Sequence, residues 1–317
     1  MKLISVVIPM YFEEAVVDES YKRLYKVMSN LNNYDYELIF INDGSTDNTL
    51  PKLLDIQKDN NKVKIIDFSR NFGHSAAVSA GIDSAKGDAV VLIDADLQDP
   101  PEVITEFITK WQEGYDVVYG TRSKRKGESL FKKLSAYMFY AFLDKMSEIR
   151  IPRNTGDFRL MDRKVVEALK QMPEKNRFVR GMVSWVGFKQ IAVEYERDKR
   201  YAGKTKYGLF KMFAFANDAI ISFSDKPLRI ITSLGIITLL IDLVFVVYIM
   251  YSLFFGNTVS GWTSLMLLLT FFFAVLFLTL GIFGQYIAGI SNNVKERPLY
   301  IIGNSYGFLK DKNKELD

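Results

Sequence analysis

The sequence predicts an α/β protein with a mainly parallel sheet, followed by surface helices and a two-helix hairpin that crosses a membrane. Short apolar runs and amphipathic stretches alternate over about the first 120 residues. Strict alternation of strand and helix favours parallel strands covered by helices on both faces. Between Arg229 and Lys295 the only charged side chain is Asp242, although charged residues make up 25% of the chain. Such a window is typical of membrane-spanning segments.

The apolar runs are the predicted strands, and the amphipathic stretches between them are the predicted helices. Ligands of parallel α/β sheets bind beyond the carboxyl ends of the strands, so the polar residues at those ends are the first candidates for a site. Strands are predicted at "ISVVIPMY" (4–11), "YELIFIND" (36–43), "VKIIDFS" (63–69), "AVVLIDAD" (89–96) and "YDVVYG" (115–120), and helices near 13–31, 46–58, 74–86 and 101–113.

Four segments follow from these patterns. We expect a cytosolic α/β domain at 1–206, interfacial amphipathic helices at 207–229, the membrane hairpin at 230–290 and a cytosolic tail at 291–317. Within the first segment, Lys126–Met146 is predicted to be a basic amphipathic helix suited to a membrane surface.

The predicted spans are 230–255 and 265–290, each roughly 39 Å long as a helix against a hydrocarbon core of about 30 Å. Basic residues lie before and after the hairpin and none lies in its loop, so both termini are predicted to be cytoplasmic and the protein to be a multi-pass protein of the cytoplasmic membrane. Asp242 lies in the first span. It is either functional or pairs with a polar neighbour or another subunit, so we expect a homo-oligomer.

Composition excludes several chemistries. The chain has no cysteine and a single histidine, His74, which excludes disulfides, thiolate nucleophiles and clusters of histidine ligands. Neither a G-x-G-x-x-G motif after the first strand nor a Walker A motif is present, so the usual dinucleotide and P-loop sites are excluded. Basic residues concentrate at 122–133 and 197–206, which indicates either attraction to anionic lipid or a phosphate site.

Acidic residues lie at the end of the fourth predicted strand and directly after it. Asp94, Asp96 and Gln98 alternate, so an extended backbone would point all three side chains in one direction. Carboxylate and amide oxygens suit Mg²⁺ or Mn²⁺. The alternative is an acidic turn before the helix that Pro100 and Pro101 begin, and Asp99 is assigned to that turn and helix start.

Eight motifs fall in order along nearly the whole chain and together resemble family 2 glycosyltransferases of the polyprenyl-phosphate type. This group includes bactoprenol glucosyltransferases and is related to dolichol-phosphate mannose synthases. The motifs are "SVVIPMYFEE", "INDGSTDNT", "SRNFGHSAA", "LIDADLQDPPE", "NTGDFRLMDRKVVEAL", "RFVRGMVSWVGF", "RYAGKTKYG" and "GQYIAGISNNVKERPLYII".

The resemblance implies a GT-A fold for the first domain, together with a role for each matching residue. Asp96 and Asp157 would be catalytic, with Asp157 near the acceptor. Arg200 and Lys206 match a basic motif that binds phosphate, and we expect Arg122 to hold the acceptor phosphate together with them. The matches to the nucleotide-sugar site are Pro9, Tyr11, Glu13, Asp43 and Asp94, and those to a Mg²⁺ or Mn²⁺ site are Asp94, Asp96 and Gln98.

Simpler alternatives stay open for several of these residues. Asp43 could only form a turn, with Thr46 capping the next helix. Asp157 could pair only with Arg159 or Arg163. The basic residues Arg200 and Lys206 could serve only anionic lipid.

The activity implied by the resemblance is inverting transfer of a hexose, expected to be glucose, from a UDP-sugar to a polyprenyl phosphate at the cytoplasmic membrane face. Nucleic acid is not an expected partner. The alternatives are a different sugar, such as N-acetylglucosamine or galactose, and an inactive membrane scaffold.

Overall fold

The computed structural model describes residues 1–123, 152, 155–175, 177–198, 226–255 and 261–308. The chain divides into two compact units. The first unit contains one eight-stranded sheet, and the second contains two long helices. The strands are β1 (Lys2–Met10), β2 (Tyr34–Asn42), β3 (Val63–Phe68), β4 (Ala89–Leu92), β5 (Val117–Arg122), β6 (Thr155–Asp162), β7 (Gln190–Tyr195) and β8 (Ile302–Tyr306).

The sheet has the strand order β7-β5-β6-β4-β1-β2-β3-β8. Its centre is parallel: β1 pairs with β2 and β4, and β2 pairs with β3. On one side β6 runs antiparallel between β4 and β5, with β7 parallel to β5 at the edge. On the other side β8 runs antiparallel to β3. The mainly parallel α/β sheet predicted from the sequence is therefore confirmed.

Helices cover both faces of the sheet. Residues of α1, α2 and α4 join the core that contains Ile4, Val6 and Ile8 of β1. On the opposite face α3 packs closely, since a Cβ added at Gly81 would lie 2.1 Å from a methyl group of Val7. The helices of this unit are α1 (Val17–Ser29), α2 (Thr49–Asp59), α3 (His74–Ser84), α4 (Ile104–Gln112, after a 3-10 turn at Pro101–Val103), α5 (Arg163–Lys170) and α6 (Val179–Trp185).

All five predicted strands and all four predicted helices of the first half are present. The predictions omit three strands, β6, β7 and β8, and the helices α5 and α6. The predicted helix Lys126–Met146 and nearly all of the interfacial segment 207–229 lie outside the described residues, and 226–229 begin the first long helix of the second unit.

The segment 291–317 differs from its predicted role as a tail after the hairpin. Its residues 302–306 form β8, which pairs with β3 and completes the sheet. Every residue of β8 except Tyr306 is exposed, which is the pattern of an edge strand.

The second unit contains α7 (Lys226–Phe255) and α8 (Trp262–Val294). Both predicted spans are therefore helical. One stretch of the described residues, Phe271–Val294 in α8, is both long and apolar enough to cross a membrane.

Candidate functional site

The candidate site lies at the carboxyl ends of the central strands. β1, β2 and β4 are neighbours in parallel, so the segments that follow Met10, Asn42 and Leu92 leave the sheet at the same edge. This is the edge at which ligands bind in parallel sheets. The acidic residues that follow β2 and β4 are thereby brought to one side of the domain.

The segment after β4 has the alternation that the sequence predicted. Asp94, Asp96 and Gln98 are partly exposed, whereas the residues that alternate with them along the chain are buried: Ile93, Ala95, Leu97 and Asp99. The backbone is nevertheless not a continued strand, because Leu97 has a φ of 57°. The backbone amide of Gln98 donates to Asp96 Oδ1 at 3.1 Å, and this bond stabilises the turn.

Asp157 lies near the start of β6 and is almost fully buried. Arg180 of α6 donates to both of its oxygens, with Nε 2.7 Å from Oδ1 and Nη2 3.1 Å from Oδ2. His74, the first residue of α3, places Nε2 3.0 Å from Asp157 Oδ2 and 3.8 Å from Asp94 Oδ1. Three elements distant in the sequence therefore meet at one carboxylate.

The alternative in which Asp157 pairs only with Arg159 or Arg163 is wrong. The Arg159 side chain donates to the carbonyl oxygens of Asp157 and Gly156, at 3.2 and 3.0 Å. The Arg163 guanidinium donates to the Ala85 and Gly87 carbonyls. Both arginines brace the backbone, and the carboxylate of Asp157 is bound by Arg180 and His74 instead.

The charges of this cluster set its protonation. Burial opposes ionisation of Asp157, but the Arg180 charge and the hydrogen bonds from His74 and Arg180 hold the pKa of Asp157 well below its usual range. Burial opposes protonation of His74, yet its bond to Asp157 and the charge of Asp94 raise its pKa to about 9. Burial raises the pKa of Asp94 to about 6, partly offset by the charge on His74. Near neutral pH, Asp157 is ionised and His74 is protonated.

Asp43 is buried at the end of β2 and holds the loop that follows β3. Its carboxylate accepts from the Phe72 amide at 2.7 Å, the Gly73 amide at 2.9 Å and Asn71 Nδ2 at 2.8 Å. Burial raises the pKa of Asp43, and the two backbone hydrogen bonds oppose that rise. The alternative in which Thr46 caps the next helix is wrong, because α2 begins at Thr49 after Asn48.

The assignment of Asp99 to a helix start is also wrong. Asp99 is fully buried, and the 3-10 turn that begins at Pro101 is without a side-chain cap among the described residues. Tyr195 donates its hydroxyl to Asp99, and the guanidinium groups of Arg197 and Arg122 lie 3.4 and 3.8 Å from its oxygens. Asp99 is therefore the buried counter-ion of two arginines.

The remaining predicted site residues are placed as follows. Pro9 is buried in β1, and Tyr11 and Glu13 follow that strand on a loop. The backbone amide of Glu13 donates to Oγ1 of Thr49, the first residue of α2, at 3.0 Å. Arg122 ends β5 beside Asp99. Arg200 and Lys206 lie outside the described residues.

The acidic cluster suits a divalent cation. His74, Asp94 and Asp157 each offer a ligand atom, and these atoms lie within 4.8 Å of one another. The negative charges of Asp157, Asp99 and Asp96 all contribute to the raised pKa of Asp94. A divalent cation at this place would relieve the repulsion between Asp94 and its acidic neighbours, and His74 would have to release its proton before it could serve as a ligand. Oxygen-rich sites of this kind bind Mg²⁺ or Mn²⁺.

Sequence reasoning missed His74 and Arg180 as members of the site. A usable signal existed for His74, because it begins a helix directly beyond the third strand. Arg180 lies on a short helix that the sequence analysis did not predict, and Asp157 lies near the start of β6, which was also missed, so no local signal pointed to their contact.

Comparison with known proteins agrees with this architecture. The sequence profile described as Glycosyl transferase family 2 matches residues 5–170, more than half of the chain. The chain belongs to glycosyltransferase family 2. It is therefore a glycosyltransferase, and its mostly parallel α/β domain is GT-A-like.

Relatives match over nearly the full length. An uncharacterized glycosyltransferase of Bacillus subtilis (strain 168), YkcC, is 51% identical over 98% of this chain and 96% of its own. A prophage bactoprenol glucosyl transferase homolog of Escherichia coli (strain K12) is 41% identical over 94% of this chain and 98% of its own. The bactoprenol glucosyl transferase of Shigella phage SfII is 41% identical over 96% of this chain and 98% of its own.

Among solved structures, the chain is similar to glucosyl-3-phosphoglycerate synthase of Mycobacterium tuberculosis in complex with Mn²⁺, UDP-glucose and phosphoglyceric acid. The TM-score is 0.45 at 18% identity, over 69% of this chain and 78% of that one.

Proposed function

We propose that this family 2 enzyme transfers glucose from UDP-glucose to the phosphate of undecaprenyl phosphate at the cytoplasmic face of the membrane. The observation that carries the proposal is the 41% identity to bactoprenol glucosyl transferases over 94% of this chain or more, a range that includes the region after the catalytic domain. A stretch of α8 is long and apolar enough to cross a membrane, which suits an enzyme with a lipid acceptor.

The membrane arrangement that fits is a hairpin of spans 230–255 and 265–290, with both termini cytoplasmic. Two long helices occupy these ranges, and basic residues flank them. The positive-inside rule then orients the domain toward the cytosol, where nucleotide sugars are made. The homo-oligomer stays a prediction that mass measurement in detergent would test.

The donor site is proposed at the ends of β1, β2 and β4. Tyr11, Glu13 and Asp43 would line the side of the base and ribose, and Asp43 already fixes the loop at Phe72 and Gly73. Asp94, Asp96 and Gln98 would hold a divalent cation beside the diphosphate. When bound there, Mg²⁺ or Mn²⁺ supplies stabilisation of the negative charge that develops on the leaving group.

The reaction is proposed as a single displacement. An oxygen of the acceptor phosphate forms a bond to the anomeric carbon while the bond from that carbon to the diphosphate oxygen breaks, and UDP leaves with the electron pair. The configuration inverts, so an α-linked donor gives a β-linked lipid product. A phosphate monoester has a second pKa of about 6, so the acceptor is largely a dianion near neutral pH. It needs no strong base.

Asp157 fits a positioning role better than that of a general base. A carboxylate whose pKa is well below its usual range is a poor proton acceptor near neutral pH. Its bonds fix the Arg180 guanidinium and the protonated His74 at the same place. These two cations face the region in which the phosphate groups of donor and acceptor would meet, with Arg122 as a further phosphate ligand.

The proposal is tested by assaying the purified enzyme and its Asp96→Ala variant for transfer of labelled glucose to undecaprenyl phosphate in detergent, beside a panel of other UDP-sugars. Asp55→Asn, which alters an exposed pair with Lys58 on α2, is the control. We expect glucose transfer by the wild type and the control and its loss in Asp96→Ala. Transfer of another sugar in preference to glucose would correct the donor, and absence of both transfer and UDP binding would favour an inactive scaffold.

A further inference from the structure

The segment that follows α8 in the sequence pairs with β3 at the end of the sheet where the donor site is proposed. α8 ends at Val294, and β8 begins at Ile302 as the partner of β3. Ile302 lies opposite Phe68, the last residue of β3. One residue further, the Ser69 amide donates to the Ile301 carbonyl at 3.0 Å. The backbone pairing thus extends to the first residue of the loop 69–73.

Tyr300 contacts both elements that flank this loop. Its ring stacks on Phe68, with centroids 5.1 Å apart and an interplanar angle of 10°. Its hydroxyl donates to Oδ2 of Asp83 in α3, at 3.1 Å. Burial and the Asp83 carboxylate raise the pKa of Tyr300, so the hydroxyl keeps the proton that it donates. Tyr300 therefore ties the end of β3 to the helix that begins at His74.

The loop between these two elements carries the contacts of the candidate site. Phe68 also meets Phe72 edge-to-face, at a centroid distance of 5.7 Å. The amides of Phe72 and Gly73 are the donors to Asp43. The next residue, His74, contacts Asp157. A displacement of Phe68 or of α3 would therefore disturb two sets of contacts at once: the bonds of Phe72 and Gly73 to Asp43, and the bond of His74 to Asp157.

We propose that Tyr300 is a positioning residue of the active site, which fixes the loop 69–73 and the start of α3 through Phe68 and Asp83. The chain that emerges from the apolar helix thereby sets the geometry of the donor site. The identity of the donor as UDP-glucose rests on the proposed function, whereas the coupling of Tyr300 to the loop 69–73 rests only on the contacts described above.

Two variants separate the contacts of Tyr300 in the full-length protein in detergent. Tyr300→Phe keeps the stack on Phe68 and removes the bond to Asp83, and Tyr300→Ala removes both. Tyr306→Phe is the matched control, because it removes a tyrosine hydroxyl from the other end of β8, opposite Ile65. Since Tyr300→Phe retains the ring, it tests the proposal even if the alanine variant fails to fold.

The first readout is hydrogen exchange of the amides at 69–74, which needs no substrate. We expect faster exchange at Phe72 and Gly73 in Tyr300→Phe, a larger effect in Tyr300→Ala, and unchanged exchange in Tyr306→Phe. Faster exchange spread equally over all strands would overturn the proposal, because it would show a general loss of stability.

The second readout is steady-state kinetics with UDP-glucose and undecaprenyl phosphate. We expect Tyr300→Ala to raise the KM for UDP-glucose about tenfold, equivalent to about 1.4 kcal/mol, with the KM for the lipid unchanged. A purely structural role would lower kcat through loss of active protein and leave both KM values as they are, which would overturn the proposal. Faster exchange at 69–74 in an enzyme without UDP-glucose transfer would support the coupling and reject the proposed function.

Discussion

Asp157 accepts two hydrogen bonds from the single guanidinium of Arg180, with Nε at 2.7 Å and Nη2 at 3.1 Å from its two oxygens. A bidentate pair of this kind fixes direction as well as distance. Because His74 takes a further bond at 3.0 Å, the Asp157 carboxylate is held by two cations from two different helices. The contribution to catalysis that we propose for Asp157 is to hold these two charges in place.

Arg180→Lys should lower the rate of transfer at saturating substrate by roughly tenfold or more, because an ammonium cannot form both bonds of the guanidinium. The measurement is kcat of the folded variant, checked by circular dichroism. Arg163→Lys is the control, because Arg163 braces backbone carbonyls near Gly87. A wild-type kcat in Arg180→Lys would show that the bidentate pair of Arg180 and Asp157 is not needed for the reaction.

His74 should titrate with a midpoint near 9, above its ordinary value of 6.5, because the charges of Asp157 and Asp94 favour the imidazolium. A raised pKa means that His74 stabilises the fold fully below pH 6.5 and loses that contribution as the pH rises through about 9. Since the chain has one histidine, its ring resonances can be followed by NMR without assignment. The titration is run with a chelator present.

The matched variant is Asp157→Asn, which removes the charged partner and should lower the His74 midpoint toward 6.5. Titration of the wild-type ring at an unshifted midpoint would show that His74 does not lie against Asp157 in solution.

Asp94 and Asp96 should both be required for metal binding. Calorimetric titration of Mn²⁺ into Asp96→Asn should show affinity weakened by about tenfold or more, since one of the charged oxygen ligands is lost. Asp55→Asn should bind as the wild type does, because Asp55 lies on the surface of α2. Equal Mn²⁺ affinity in wild type and Asp96→Asn would exclude Asp96 as a ligand.

Asp99→Asn should destabilise the domain by about 3 kcal/mol, because it leaves Arg122 and Arg197 without their buried counter-ion. The measurement is denaturant unfolding of the first unit in the full-length protein. Asp35→Asn, which alters an exposed pair with Lys62, should change the free energy of unfolding by less than about 1 kcal/mol. A smaller effect for Asp99 than for Asp35 would contradict the assigned counter-ion role.

The parallel half of the fold could be predicted from the sequence because its strands are apolar and its helices amphipathic. The alternating burial of Asp94, Asp96 and Gln98 was predictable for the same local reason. β6 was missed since its interior residues are buried on both faces and show no alternation, and β8 since it is short, polar and exposed. The periodicity of a strand reports which faces are buried, and neither strand has one buried face.

The partners of charged residues were the least predictable part of the site. Asp99 precedes two prolines, a local pattern typical of a helix start. In the structure its carboxylate contacts Tyr195, Arg122 and Arg197, which are distant in the sequence. Arg180 and Asp157 are 23 residues apart, and they meet because the fold brings α6 close to the start of β6. Such pairs depend on tertiary contacts, which local sequence patterns do not reveal.

The most direct test of the central claim is mass spectrometry of the lipid formed when the purified enzyme is incubated with UDP-glucose and undecaprenyl phosphate. The account predicts one product heavier than the acceptor by a single hexose, with a β-linked sugar by NMR, formed by the wild type and not by Asp96→Ala. An unmodified lipid with the wild-type enzyme, under conditions in which UDP-glucose is bound, would contradict it.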